Sequence, residues 1–216
     1  MNPKLIAFAL SCLCLIAAEG FAQTTKGNFS LGGSISFSSH KNEYTKGLSP
    51  YESKDVNLDI RPSISYFIAN QLALGLITPY SYSRTTVGAL KESNASYSFG
   101  PIARYYFLLG KEWAIFPEVS YSFGWIHTVS QDYDFNSHVV GDIKDYPING
   151  KTKVFQCGGG LTYFLNSNIG VEAKFYYQSV DDTYDHTDNL KFIRNDTNRS
   201  SFNYGLGVQA YFARKK

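Results

Sequence analysis

The chain has 216 residues, which is enough for one domain and short for two, and its formal net charge is only +2. Its charges are spread out, so it lacks the concentrated basic stripe that nucleic-acid binding usually needs, and 44% hydrophobic residues exclude a disordered chain. The 17 Tyr and 16 Phe, together with Ser and Gly, favour strands and tight turns over helices.

The first residues predict a targeting segment. Lys4 supplies a positive charge, residues 5–18 form an apolar run, and Gly20-Phe21-Ala22 offers the small residues that a signal peptidase reads. The apolar run is short for a membrane-spanning helix, which needs about 20 residues. We therefore expect a cleavable signal peptide over residues 1–22 and a mature domain over residues 23–216.

The cysteines leave one alternative open at this end of the chain. A lipoprotein signal could be cut before Cys12 or Cys14, because the residues preceding Cys12 faintly resemble a lipobox. They lack the usual leucine three residues before the cysteine. Cleavage after Ala22 leaves Cys157 alone, so no internal disulfide can form, and we interpret Cys157 as a small packing residue.

The mature chain has a two-residue hydrophobic period almost throughout. In the first segment Phe29, Leu31 and Ile35 alternate with Ser30 and Ser34. Eight such segments occur, each of about the ten residues that a tilted strand needs to cross a bilayer. They cover residues 29–38, 56–68, 72–82, 96–107, 113–125, 155–163, 169–177 and 202–212. The period places one set of side chains on each face of a sheet.

The two faces differ in a way that favours lipid outside. One set is large, apolar and aromatic, and the other consists of Ser, Gly, Thr and Asn with isolated charges. A soluble barrel, which stays an alternative, would bury the apolar set and expose charges. Aromatic residues also gather near the strand ends, as in membrane-interface girdles. They are Phe107, Trp113, Tyr163 and Phe212 at one end, and Tyr82, Tyr97, Trp125, Tyr177 and Phe202 at the other.

Long and short connections between the segments strictly alternate. The short ones are Ala69-Asn70-Gln71, Gly110-Lys111-Glu112 and Asn166-Ser167-Asn168. The long ones cover residues 39–55, 83–94, 131–151 and 181–200. An up-and-down barrel with both termini on one side produces this alternation. The sequence therefore predicts an all-β fold: an eight-stranded antiparallel up-and-down transmembrane β-barrel with short periplasmic turns and four long external loops.

Six isolated charges fall on inward positions. They are Asp59, Arg61, Arg104, Glu118, Glu172 and Lys174, which we interpret as a lumen ion network that fills a narrow bore. A solute or ion site is the alternative. A tight turn centred on Lys111 sets residues whose numbers sum to 222 opposite each other. Arg104 should then face Glu118, with their Cβ atoms about 4.5–5.5 Å apart.

The last strand carries a resemblance to a known family. Residues 204–212, Tyr-Gly-Leu-Gly-Val-Gln-Ala-Tyr-Phe, resemble the C-terminal assembly signal of outer-membrane barrels. Over residues 23–216 the chain resembles the small outer-membrane β-barrel family that includes the OmpA transmembrane domain and the OmpX-like proteins. That resemblance implies the cell outer membrane of a Gram-negative bacterium, with membrane lipid and the insertion machinery as partners.

The functional hypothesis is a structural or surface-interaction protein with a mostly plugged lumen and an unidentified external ligand at its loops. The alternatives are a narrow porin-like channel or carrier for small or hydrophobic solutes, and a membrane-embedded lipid-modifying enzyme. We predict no enzyme, because no histidine is paired with a plausible serine and carboxylate, and no cofactor, metal or nucleic-acid partner. Cation binding by the acidic loop, residues 181–188, stays open.

Overall fold

The computed structural model describes residues 22–44, 51–133, 143–184 and 196–213. Of the expected signal peptide only Ala22 belongs to these residues, so Cys12 and Cys14 lie outside them. Ala22 begins a 3-10 turn, Ala22–Thr24. No helix among the described residues is long and apolar enough to cross a membrane.

Antiparallel strands form one sheet that closes into a ring. They are β1 Phe29–Tyr44, β2 Tyr51–Ala69, β3 Leu72–Ile77, β4 Tyr80–Val87, β5 Leu90–Tyr105, β6 Phe107–Leu109, β7 Trp113–Tyr133, β8 Ile143–Phe164, β9 Ile169–Tyr184 and β10 Thr197–Phe212. β3 and β4 share one position, as do β5 and β6, so the ring has eight positions. Pairing of β1 with β10 closes it. The predicted eight-stranded barrel is confirmed.

Hydrogen bonds continue across the two strand interruptions. Between β3 and β4, where Pro79 has no N–H of its own to donate, its carbonyl accepts from the N–H of Ser98 at 3.0 Å. Between β5 and β6, the N–H of Tyr106 donates to the carbonyl of Gln71 at 2.8 Å. The ring therefore keeps a backbone hydrogen bond to a neighbouring strand at each break.

The apolar set of side chains faces outward, as the two-residue period predicts. Exposed large residues on this face include Phe29, Leu31, Ile35, Phe37, Ile60, Ile64, Leu74, Leu76, Phe99, Val119, Tyr121, Phe123, Phe155, Val171, Phe175, Leu206 and Val208. Cys157 lies on the same face and is free and exposed. A soluble monomer rarely exposes so continuous an apolar surface, whereas lipid would cover it.

The three predicted short turns lie at one end of the barrel, here called the short-turn end. Gln71 and Gly110 adopt left-handed conformations with φ of 68° and 71°. In the third turn the Asn166 side chain accepts from the N–H groups of Asn168 at 2.8 Å and Ile169 at 2.9 Å. The opposite end is called the hairpin end.

Strands occupy much of what the sequence predicted as long loops. Residues 83–94 are strand except for the turn at Gly88 and Ala89. β7 and β8 stay paired up to Tyr133 opposite Ile143. In these segments both faces of the sheet carry polar side chains, so the hydrophobic period disappears although the pairing continues. Residues 45–50, 134–142 and 185–195 of the other three predicted loops lie outside the described residues.

The register predicted from the turn at Lys111 is confirmed. Arg104 lies opposite Glu118, and further along the same ladder Tyr97 lies opposite Trp125. The Tyr97 and Trp125 rings stack with centroids 5.4 Å apart on the outer face. A short turn with no extra residue leaves only one register, so the pairing follows from the sequence alone.

Candidate functional site

The N-terminal segment, residues 22–28, crosses the short-turn end. The Gln23 side-chain amide donates to the carbonyl of Asn166 at 3.0 Å, and the N–H of Gln71 donates to the carbonyl of Thr24 at 2.6 Å. Gln71 lies in the turn between β2 and β3, and Asn166 in the turn between β8 and β9. These turns are half a ring apart, so the segment spans the mouth of the barrel.

Behind this segment the lumen is filled by apolar side chains, here called the apolar plug. Tyr106 makes ring contacts with Phe67 at 5.8 Å and with Phe116 at 5.6 Å between centroids. Tyr211 contacts Phe164 at 5.5 Å. The plug comprises Phe67, Ala73, Tyr106, Leu108, Ala114, Phe116, Phe164 and Tyr211, all buried. A small barrel therefore has a hydrophobic core at this level rather than a water-filled bore.

One glycine makes room for the plug. Gly160 lies opposite Phe116 in the ladder between β7 and β8. A Cβ at Gly160 would lie 2.7 Å from the Phe116 ring and 2.3 Å from the carbonyl oxygen of Ala173. A side chain here would displace the ring or the neighbouring strand, so the glycine relieves crowding at this position.

Four charged side chains lie directly above the plug and form what we call the ion network. Arg104 pairs with Glu118 through its Nε at 2.8 Å and also through its Nη2, and with Glu172 through its Nη1 at 2.7 Å. The Lys174 Nζ lies 3.4 Å from Glu118 and 3.6 Å from Glu172. The side chains of Glu172, Arg104 and Lys174 are 0, 5 and 6% exposed. Two cations and two carboxylates thus balance inside the barrel.

The ion network and the apolar plug are in contact. The Arg104 guanidinium lies 4.2 Å above the Phe116 ring, and its Nη1 donates to the Tyr106 hydroxyl at 2.7 Å. The Thr162 hydroxyl donates to Glu172 at 3.4 Å. Paired charges and packed rings therefore form one continuous layer across the short-turn half of the lumen.

The other two charges predicted for the lumen lie apart from this network. Asp59 accepts hydrogen bonds from Ser36 at 3.4 Å and from Ser81. Arg61 donates to the Gln178 side chain at 2.5 Å, and its guanidinium lies 4.0 Å above the Tyr176 ring. The structure thus brings four of the six predicted residues together and places Asp59 and Arg61 nearer the hairpin end.

Asp59 and Arg61 line an outer cavity of about 780 Å³. Small polar residues such as Ser36, Ser81, Ser96 and Ser98 form much of its wall, because large side chains are absent from these inward positions. Gln156 and Gln178 lie with Arg61 at its floor. The size falls within the usual range of small-molecule sites, roughly 300–1,000 Å³.

The described histidines and the described residues of the acidic loop do not share one site. His127 contacts Asn149 through its Nδ1 at 2.7 Å, and His40 lines the outer cavity. Asp181 accepts from Asn198 at 2.5 Å and Asp182 from Arg199 at 2.5 Å, whereas residues 185–188 of the acidic loop, like His138, lie outside the described residues. Across the part of the chain that the structure describes, no group of three potential ligands is placed to hold a metal ion.

The sequence prediction missed the inward aromatic residues. Tyr106 lies within Tyr105-Tyr106-Phe107 and Phe116 within Ile115-Phe116-Pro117, where apolar residues follow one another and interrupt the alternation. Both side chains are buried in the plug. A search for breaks in the period near the short turns would have found them.

No protein-family model and no curated protein sequence matches the chain. The chain is similar to solved structures of outer-membrane barrels. The N-terminal β-barrel domain of Pseudomonas aeruginosa OprF is 15% identical, with 87% of this chain and 98% of that chain covered and a TM-score of 0.34. Neisserial surface protein A is 15% identical, with 86% and 99% covered and a TM-score of 0.41. The translocator domain of the Neisseria meningitidis autotransporter NalP is 12% identical, with 96% and 69% covered and a TM-score of 0.49. Because these identities and TM-scores are low, the fold is assigned from the strand pairing of the chain itself.

Proposed function

We propose that the chain is exported through a cleaved signal peptide, residues 1–22, and that residues 23–216 form an outer-membrane surface-interaction protein with a closed lumen. One observation carries this proposal: among the described residues, the lumen is filled at the short-turn end and holds a cavity toward the hairpin end. Such a molecule presents the outer cavity and the extended hairpins to one side of the membrane, and it provides no passage to the other side.

The outward face supports a location in lipid. Large apolar side chains cover the middle of the barrel on all sides, while Trp113 and Tyr163 near the short turns and Tyr97 and Trp125 near the hairpins form ring pairs. Aromatic residues are enriched at both interfaces of membrane barrels. The partners that follow are membrane lipid and the machinery that inserts barrels.

The paired extensions support a role at the cell surface. β7 and β8 have 21 and 22 residues, about twice the length that a tilted strand needs to cross the hydrocarbon layer. The excess carries polar side chains such as Lys151 and Lys153 and continues past the apolar belt. Paired strands of this kind offer a polar surface to an external ligand.

The closed short-turn half argues against the channel alternative. An ion crossing this level would have to displace the apolar plug and separate Arg104 from two carboxylates. We propose no catalytic role either, and expect the mass spectrum of lipid A to be the same in a deletion strain and its parent.

Fractionation and conductance test the proposal. We expect the mature chain in the outer membrane, with a heat-modifiable shift on unboiled gels, and no discrete conductance in planar bilayers. A double variant, Tyr106→Ala with Phe116→Ala, should allow leakage, whereas the outward variant Phe99→Ala should not. Recovery as a soluble periplasmic protein contradicts the membrane assignment, and regular conductance steps of the unmodified protein contradict the closed lumen.

A further inference from the structure

The seam between the first and last strands is closed over only part of its length. The ladder between β1 and β10 runs from Phe29 opposite Phe212 to Ile35 opposite Leu206 and ends there. Both strands continue further, since β1 extends to Tyr44 and β10 begins at Thr197. Among the described residues, 36–40 therefore have no ladder partner on 198–205.

This opening lies at the rim of the apolar belt. Phe37 and Phe202 are the last large apolar side chains on the outward faces of β1 and β10 before Ser39 and Ser200. Open strand edges are not stable in hydrocarbon, because no water is present to satisfy their N–H and C=O groups. The unpaired N–H and C=O groups of β1 and β10 at the rim of the apolar belt therefore need hydrogen-bond partners from water or from a ligand.

The outer cavity continues into the gap. It is lined by inward residues such as Asp59 and Arg61, and also by Phe37, Phe202 and Tyr204, which point away from the lumen. Tyr204 is 75% exposed. A cavity lined by residues of both faces supports a connection between the polar lumen and the apolar surface at the seam.

The floor of the cavity holds a buried cation with no carboxylate partner. Arg61 is 6% exposed and, within the described residues, forms no ion pair, and its Nε has no hydrogen-bond partner. Its neighbours are neutral: the Gln178 amide oxygen, the Tyr176 ring and the Gln156 amide, which lies 2.6 Å from Nη1. A buried charge is costly without a partner of opposite sign.

The other charges around the cavity are already engaged. Asp59 accepts from the hydroxyls of Ser36 and Ser81, and Asp182 accepts from Arg199. Arg199 is half exposed at the hairpin side. Arg61 is therefore the charged group at the floor of the cavity that can still form an ion pair among the described residues. An anionic group that reaches Arg61 gains a charge-assisted hydrogen bond.

We propose that the outer cavity binds a single-chain anionic amphiphile, with its carboxylate at Arg61 and its acyl chain leaving through the gap between β1 and β10 past Phe37 and Tyr204. This inference depends on the proposed membrane location and goes beyond it. The polar end of such a ligand satisfies the buried guanidinium. The acyl chain of the ligand contacts Phe37 and Tyr204 and then the membrane lipid.

Binding of tritiated palmitate to the bead-bound full chain in a nonionic detergent tests the head-group site. We expect displacement by unlabelled palmitate and not by equal concentrations of methyl palmitate, hexadecylamine or acetate. Arg61→Gln should weaken binding about tenfold or more, since a hydrogen bond to a charged group is lost. Asp59→Asn should tighten binding, because it removes a carboxylate of the same sign as the ligand from the cavity wall, whereas Phe99→Ala, outside the cavity, should leave binding unchanged.

Each contrary result overturns a defined part of the proposal. Unchanged affinity of Arg61→Gln removes the carboxylate site, and displacement by hexadecylamine reverses the sign of the ligand. Displacement by acetate means that the site takes a free anion rather than an amphiphile. Variants are first checked for the heat-modifiable gel shift, so that a chain that fails to fold is not scored.

Cross-linking tests the route through the seam. With Cys157→Ser as background, Ser38→Cys and Asn203→Cys would face each other if the ladder continued. Joining them with a short bismaleimide should abolish palmitate binding. The matched pair Leu31→Cys and Ala210→Cys lies opposite in the closed part of the same seam, and joining it should change nothing. Equal binding in both cross-linked proteins refutes the lateral route. If the membrane assignment itself is wrong, the fractionation experiment shows it independently, because the chain is then recovered in the soluble periplasmic fraction.

Discussion

Arg104→Ala and Glu118→Ala each remove one charge from a network that holds two cations and two carboxylates. Loss of Glu118 leaves Arg104 and Lys174 facing Glu172 alone, and loss of Arg104 leaves two carboxylates facing Lys174. Each single variant therefore has one uncompensated charge in a region shielded from water. The double variant keeps Lys174 with Glu172, one charge of each sign.

The magnitudes follow from that count. Breaking a buried pair by removing one partner lowers the free energy of unfolding by about 3–5 kcal/mol. If the two losses were independent, the double variant would lose roughly 6–10 kcal/mol, the sum of two such changes. Because the double variant restores neutrality, we expect it to lose less than either single variant.

Urea unfolding in lipid vesicles, followed by the fluorescence of Trp113 and Trp125, measures these differences. The control is Glu52→Ala, which breaks the exposed pair of Lys41 with Glu52, 3.0 Å apart. An exposed pair contributes about 0–1 kcal/mol, so the control should change little. Silent single variants, or losses that simply add in the double variant, would show that the four charges do not act as a network.

Three further predictions concern the plug, the outer face and the orientation. Phe116→Ala should lower the free energy of unfolding by about 3–5 kcal/mol in the same assay, whereas Phe99→Ala should cost clearly less, and equal losses would contradict a packed lumen. Cys157 should react in membranes with a lipid-soluble maleimide and not with a charged one, and rapid labelling by the charged reagent would place it in water. A protease site inserted in residues 131–151 should be cut on intact cells, while one in Gly110-Lys111-Glu112 should be protected. The opposite cleavage pattern would mean that the barrel is inverted.

The sequence was sufficient for the features that depend on local pattern. A two-residue period identifies strands and assigns their faces, and residues such as Phe99 and Ser98 lie outward and inward as it predicts. A turn of fixed length determines the register, so Arg104 opposite Glu118 could be derived from Lys111 alone. The ends of the strands at the hairpin end could not be predicted, because paired strands with water on both faces carry no hydrophobic period.

Features that depend on the closed ring were not accessible from the sequence. Glu172 and Lys174 are distant from Arg104 along the chain, and their meeting depends on the stagger of β9 across the lumen. Asp59 and Arg61 also occupy inward positions but lie nearer the hairpin end. Alternation alone could not distinguish them from the four residues of the ion network. The end of the ladder beyond Ile35 is likewise without a local signal, since both edges continue as ordinary strand.

The distribution of side chains explains how one small barrel can be sealed at one end and open in its wall at the other. In the short-turn half, packed rings, the ion network and the closed seam from Phe29 to Ile35 support one another. In the hairpin half the inward positions hold Ser, Asn and Gln, which fill little volume and leave the cavity. The apolar plug lies in the other half of the lumen, so parting β1 from β10 in the hairpin half does not separate its packed rings. This arrangement supports both proposals, a lumen that is closed to ions and a seam that admits a ligand from the side.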